Sequence, residues 1–326
     1  MKFPRLLSAL GSAVIIALAA GPVHAQSWPT KPIRLLVGSP PGGPSDITAR
    51  TFADQLGKRV GQPVVVENRP GAGNNLAAGA AARADADGTT LVLSPDTVLT
   101  VNPLVYTTGD FNAARDLVNI SVIASFSQML VCNPSAGVRS VADLTAKAKA
   151  ASSPMMYASG GPGVPGHLAT EMFLEQAKVR MEHVPYRGPA PATQAVLGGE
   201  VACGFLATPT VLPHVKSGRL VALAVSSEAP SALAPDVPTL AKALNQPGLD
   251  VSFRLVLQAA KGTPAPIVAE IEKHAAEIMK QAEVRDRLKN YDLTAVGSTS
   301  AQAQQVMNTE MKRWEPVVKR LGLKSE

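Results

Sequence analysis

The sequence predicts an α/β protein of two lobes in close contact. Three observations carry this. Short apolar runs of strand character alternate with stretches of helical periodicity, which argues for a parallel sheet with helices on its faces. The alternation restarts near residue 120. Each half also carries a Gly/Pro-rich turn between a strand and a helix: PPGGPSD at 40–46 and SGGPGVPG at 159–166. No short repeat and no low-complexity linker interrupts the chain, so separate beads on a string are not expected.

The N-terminus is set aside first. Lys2 and Arg5 precede the mostly apolar run Leu6–Ala20, which is too short to span a bilayer. Val23-His24-Ala25 loosely has the small-x-small character of a cleavage site. Residues 1–25 therefore read as a secretory signal cut before Gln26, with an uncleaved anchor as the alternative. Its removal lowers the formal net charge from +6 to +4, because it holds Lys2 and Arg5 and no acid. The mature chain is mildly basic, without a Lys/Arg run or an aromatic-basic stripe. That argues against nucleic acid and weakly favours a small anion. Cys132 and Cys203 face an oxidising compartment, where a disulfide is possible. Their settings, QMLVCNP and VACGFLA, suit two buried free thiols as well.

In chain order, Ile33–Val37 is a buried strand. Ser45 is placed to cap a helix carrying Ile47, Phe52, Ala53, Leu56 and Val60 on one side. Strands follow at 63–67 and 90–93, separated by the turn NRPGAG and an Ala-rich helix at 74–83, and a loop runs from Ser94 to Thr97. In the second half, strands are expected at 121–125, 129–132, 155–159, 181–184, 201–206 and 220–226. A helix at 141–150 and a second Gly turn with its helix at 159–177 lie among them. The last hundred residues read as mainly helical. One helix starts at Thr263-Pro264 with proline in its first turn. A final helix runs over 300–321, with Pro316 expected to kink or end it, and this section returns to brace the first lobe.

The two glycine turns are the candidate site. A strand-to-helix turn leaves backbone N–H groups free at a helix N-terminus, with partial positive charge behind them. Neither turn is a nucleotide motif. The first lacks a GK[ST] ending, and the second does not open a GxGxxG with its acid. Two such termini, one from each lobe, suit a carboxylate. Four charge-assisted hydrogen bonds of roughly 1.5–3 kcal/mol each would make a large part of the ~8 kcal/mol behind micromolar affinity.

Other chemistry finds little support. There is no GxSxG, and Tyr157 stands where a nucleophile elbow needs glycine, which argues against an exported serine hydrolase. His167 and Glu171 sit at i and i+4 without an HExxH or a third ligand, so His167 reads as packing or capping the helix start. His183 and His214 read as structural. Asp46 reads as a cap or a water partner, not a base.

WPTKPIRLLVGSPPGGPSDITAR, VENRPGAGNNLAA, VNPLVY, SGGPGVPGHLA, HVPYRGPAPATQAVLGGEV and LAPDVPTLAKA occur in that order. Together they resemble the Bug family, periplasmic solute-binding proteins of tripartite tricarboxylate transporters, over essentially the whole mature chain. The resemblance implies a type II periplasmic-binding-protein fold, two α/β lobes joined by two crossings with a ligand cleft between them. It implies lobe 1 at 26–124 plus 225–326 and lobe 2 at 125–224. A carboxylate is expected in the first and fourth βα loops, held through backbone amides and waters. On this chain those loops give Pro41, Gly42, Gly43, Pro44, Ser45 and Asp46, then Ser159, Gly160, Gly161, Gly163, Val164, Pro165 and Gly166. Thr97 and Asn102 match the loop after the third strand.

The chain departs from the family pattern in four places. Ser39 stands at or beside a usual Phe-like residue. Val164 replaces a hydroxyl residue. Phe205-Leu206-Ala207 replaces Phe-Asp-Asn, and Arg254-Leu255-Val256 replaces Trp-Phe-Gly. The amide clamp survives these changes, and the distal end of the ligand is left open. Arg254 reads either as a solvated surface arginine or as a cleft residue that pairs a second anionic group. The implied function is capture of a small organic carboxylate by a monomeric periplasmic protein. Delivery would be to membrane permease subunits, or alternatively to a membrane sensor kinase. No metal, cofactor or covalent step is implied.

Overall fold

The computed structural model describes residues 28–106 and 110–324, so the signal segment read at 1–25 lies outside the described residues. Two sheets organise the chain. The first half supplies β1 (Ile33–Val37), α1 (Pro44–Val60), β2 (Val64–Asn68), α2 (Asn75–Ala82) and β3 (Thr90–Pro95). Short helical turns at Thr97–Thr100, Asn102–Val105 and Ala113–Asp116 lead to β4 (Leu117–Phe126). The middle supplies β5 (Gln128–Cys132), α3 (Val141–Ala150), β6 (Met155–Ser159), α4 (Pro165–Ala177) and β7 (Met181–Pro185). It continues through α5 (Pro189–Gly198), β8 (Cys203–Ala207), α6 (Thr208–Lys216) and β9 (Val221–Val225). The chain ends with α7 (Leu240–Leu244), β10 (Phe253–Ala260), α8 (Ala265–Lys280), α9 (Ala282–Lys289), β11 (Leu293–Ala295) and α10 (Ser300–Leu321).

The first sheet has the order β11-β4-β10-β3-β1-β2, and the second β7-β6-β8-β5-β9. β1 pairs in parallel with β2 and β3, and β6 in parallel with β7 and β8. β10 is antiparallel to both β3 and β4, and β5 is antiparallel to both β8 and β9. The chain crosses to the second sheet between Phe126 and Gln128, and returns between Val225 and Phe253.

Both faces of each sheet are covered, which is why the strands read as continuous apolar runs. Along β1, Ile33, Leu35 and Val37 join one core while Leu36 faces another with Ala77, Val92 and Met307. Along β5, Leu130 and Cys132 point one way and Met129 and Val131 the other. This is the two-residue period of a strand.

Several expectations change. Gly43, not Ser45, is the N-cap of α1, and no side chain caps it; Pro44 takes the first helical position, where its missing N–H costs nothing. β3 runs on to Pro95, so 94–97 is not a loop. Pro264 is the N-cap of α8, ahead of the first turn. The first sheet takes two strands, β10 and β11, from the section read as mainly helical. Helix α10 does not stop at Pro316: Trp314 and Val318 on either side of it are both buried against the first sheet's core, so packing outweighs the local cost of the proline. As expected, α10 braces the first lobe. Cys132 and Cys203 are paired as a disulfide, directly opposite one another on β5 and β8.

Candidate binding site

A cavity of about 660 Å³ lies between the sheets. Four helices begin on its wall. Pro44 and Ser45 open α1, Pro165 and Gly166 open α4, Pro189 opens α5, and Ala207 is the N-cap of α6. Each of these helices has proline in its first two positions. The remaining first-turn N–H groups have no acceptor within their own helix, and the partial positive end of each helix dipole faces the same space. Among the described residues, the charged side chains on the wall are Arg187 and Lys324, and none of the lining residues is Asp or Glu. Ser39 Oγ and Asn74 Oδ1, on two lining residues, are buried without a hydrogen-bond partner. Phe126, Val164, Phe205 and Leu206 add apolar surface.

The first glycine turn splits into a wall and a brace. Pro44 and Ser45 line the cavity; Pro41, Gly42, Gly43 and Asp46 do not. Asp46 is buried and staples the turn. Its carboxylate accepts from Gly42 N–H at 3.0 Å, Arg50 Nε at 3.0 Å and Asn68 Nδ2 at 2.9 Å. Burial alone would raise its pKa, but the bonds from Arg50, Gly42 and Asn68 outweigh it and hold the carboxyl below the usual range.

In the second turn Gly160, Gly161, Val164, Pro165 and Gly166 line the cavity, while Ser159 and Gly163 sit behind them. A Cβ at Gly166 would stand 2.3 Å from the Phe205 carbonyl oxygen, so only glycine lets α4 start this close to β8. Phe205 lines the floor with Leu206 and Ala207.

Thr97, Asn102 and Arg254 lie elsewhere. Thr97 is buried at the start of its turn and does not reach the cavity wall; Asn102, on the next turn, holds the loop after β2, donating to Gly73 O at 2.9 Å and Asn75 Oδ1 at 2.7 Å. Arg254, read as a surface or a cleft residue, instead serves two buried acids. Its Nη1 lies 3.1 Å from Glu310 Oε1 and 3.6 Å from Asp96 Oδ2, and its backbone N–H donates to Asp96 Oδ2. Burial pushes the Asp96 carboxyl up to about 7 against the pull of Arg254, with Glu310 adding to the rise. Buried carboxylates need a nearby cation, which is reason enough for the arginine.

The lobes touch around the cavity. Tyr106 Oη donates to Pro162 O at 2.9 Å, Gly163 packs on the Val101–Val105 turn, and Pro40 lies against Gly188. Sequence reasoning missed the α5 start, Arg187 and Lys324. The quoted stretch HVPYRGPAPA has the same grammar as the other two turns, a strand followed by Gly-Pro and a helix, and that signal was available.

Fold and cavity together define a two-lobed solute-binding protein. The family described as tripartite tricarboxylate transporter family receptor matches residues 48–323. Protein BugT of Bordetella pertussis is 35% identical over 325 residues, covering 99% of each chain. The R. palustris protein Rpa4515, solved with adipate, superposes with a TM-score of 0.87 at 30% identity, covering 91% of this chain and 100% of its own. MatC from Rhodopseudomonas palustris, with bound malate, gives a TM-score of 0.82 at 26% identity, covering 89% and 100%. The chain belongs to the tripartite tricarboxylate transporter receptor family, a family of solute-binding receptors.

Proposed function

We propose that this protein is exported to the periplasm and closes its lobes, 26–124 plus 225–326 against 125–224, on a small organic carboxylate. It then presents that ligand to the membrane subunits of a tripartite tricarboxylate-type transporter. The observation that carries this reading is the convergence of four helix starts on one cavity whose wall, among the described residues, holds two cations and no acid. A carboxylate fits the amides, and a cavity of this volume suits a ligand of a few to a dozen heavy atoms. The carboxylate ligands of Rpa4515 and MatC support the class. Arg187 and Lys324 are the side chains on the wall suited to a second anionic group. The matching family is described as a transporter receptor, which supports transport over a sensor kinase.

Two measurements test this. A thermal-shift panel of the mature protein covers malate, succinate, adipate, citrate and aromatic acids, each dicarboxylate beside its monocarboxylate of equal length. A ligand at 100 times its Kd adds about 2.7 kcal/mol, a clear rise in midpoint. Folded protein with no shift across the panel would overturn the carboxylate reading, and equal shifts from mono- and diacids would remove the role given to Arg187 and Lys324. Mass spectrometry of the periplasmic fraction is expected to find a mature chain starting at Gln26; a chain retaining Met1–Ala25 would refute cleavage.

A further inference from the structure

A stack of rings supports the second clamp loop, with His167 buried and His183 half-buried on the cavity wall. His167 on α4 and His183 on β7 are parallel, with centroids 3.9 Å apart and an interplanar angle of 9°. Tyr157 of β6 stacks on His183 at 5.0 Å, and its hydroxyl bonds to Glu171 of α4. Each imidazole supports a different part of the loop. Gly163 N–H donates to His167 Nδ1 at 3.0 Å, and Ser159 Oγ lies 2.6 Å from His183 Nε2. Ser159 Oγ also accepts from Gly161 N–H at 3.1 Å. The amides of Gly161 and Gly163 are thus used inside the protein. That leaves the loop's remaining donors, at the start of α4, for a ligand.

We propose that His167 and His183 are positioning residues for the ligand clamp: their stacked imidazoles hold the 159–166 loop in the shape that turns the start of α4 to the cavity. This rests on the cavity being the anion site. A nitrogen that accepts from an amide must be unprotonated, and two charged rings in face-to-face contact would repel. Both rings are kept neutral: burial pulls His167 down to about 3, with His183 beside it adding to the fall, and burial pulls His183 down to about 4. The charged or titratable groups facing the pair are Glu171, whose carboxyl burial raises, and Tyr157. The sequence reading of both histidines as structural missed that what they support is the clamp itself.

The test compares amide hydrogen exchange of residues 159–166 in the ligand-free mature protein and four variants. His167→Leu removes the acceptor of the Gly163 amide, and His183→Leu removes the ring nitrogen that bonds to Ser159. His167→Asn keeps an oxygen near the Nδ1 position, and His183→Gln keeps a polar group near Nε2. The leucine variants are expected to exchange roughly tenfold faster in this segment, and the amide variants to stay within about twofold of the parent. Unchanged exchange in the leucine variants, or equal loss in all four, would overturn the proposal, the second outcome showing that packing alone matters. Should the leucine variants not fold, the ¹⁵N spectrum of the parent's histidines decides. An unprotonated His167 Nδ1 coupled to the Gly163 amide is expected, and a protonated Nδ1 refutes the proposal. Both readouts are taken without ligand, so their failure is distinct from failure of the carboxylate reading.

Discussion

Replacing Gly188 with alanine is expected to weaken ligand binding by about 10–100-fold while leaving the protein folded. Two effects combine at this position. Its backbone has φ 116° and ψ 172°, a region that only glycine enters freely, so a side chain costs about 1–3 kcal/mol wherever that conformation is held. The second effect belongs to closure. A Cβ there would lie 2.6 Å from Cδ of Pro40 on the opposite lobe. Overpacking of this kind costs about 1–3 kcal/mol, and each 1.4 kcal/mol is tenfold in affinity. The penalty falls on the closed form and is spared the open one, so it shifts the population away from the binding-competent state. Titration calorimetry with a carboxylate from the panel measures it. The double variant Pro40→Ala with Gly188→Ala should recover part of the loss, because the two sites are in contact. Unchanged affinity in Gly188→Ala would show that this contact is no part of the bound state.

Trp314→Ala is expected to have the largest effect on stability. Trp314 is 1% exposed and stacks on Phe253 of β10, with ring centroids 6.0 Å apart and an interplanar angle of 9°. Truncating a buried Trp typically costs about 3–5 kcal/mol, a large share of the 5–15 kcal/mol that holds a typical protein folded. The midpoint of urea unfolding should fall accordingly. Trp314→Phe should lose much less, since it keeps the ring stack and removes an indole N–H that is buried without a partner. A loss below about 1 kcal/mol in the alanine variant would mean that α10 does not brace the first sheet.

Local features were legible wherever one segment settles its own structure. Strands β1 and β6 and helix α3 begin and end where apolar period and end signals place them. Both glycine turns were legible as helix starts for the same reason. The β10 strand was not, because Arg254 and Gln258 break its apolar run. The partners that hold these two side chains come from distant parts of the chain. Arg254 meets Asp96 and Glu310, while Gln258 accepts from Ser94 Oγ at 3.0 Å and donates to Asn119 Oδ1 at 2.9 Å. The wall of the site has the same character. Pro44 and Gly166 announce themselves, whereas Lys324 reaches the cavity only because the C-terminal helix folds back across the first lobe. Nothing near Lys324 in the sequence marks it as a cavity residue.

The place of β10 between β3 and β4 also sets the order in which this protein can be assembled. Strands β5 to β9 form a sheet from one continuous stretch of chain, so that sheet needs nothing from elsewhere. The other sheet has a gap at its centre until residues 253–260 arrive. During synthesis, β3 and β4 each wait with a bare edge, and such edges are templates for pairing with another chain. A chain stopped before residue 253 therefore carries a finished half and an unfinished half whose β3 and β4 lack their later partners in the sheet. The newly made protein is at its most vulnerable late, when most of its length already exists.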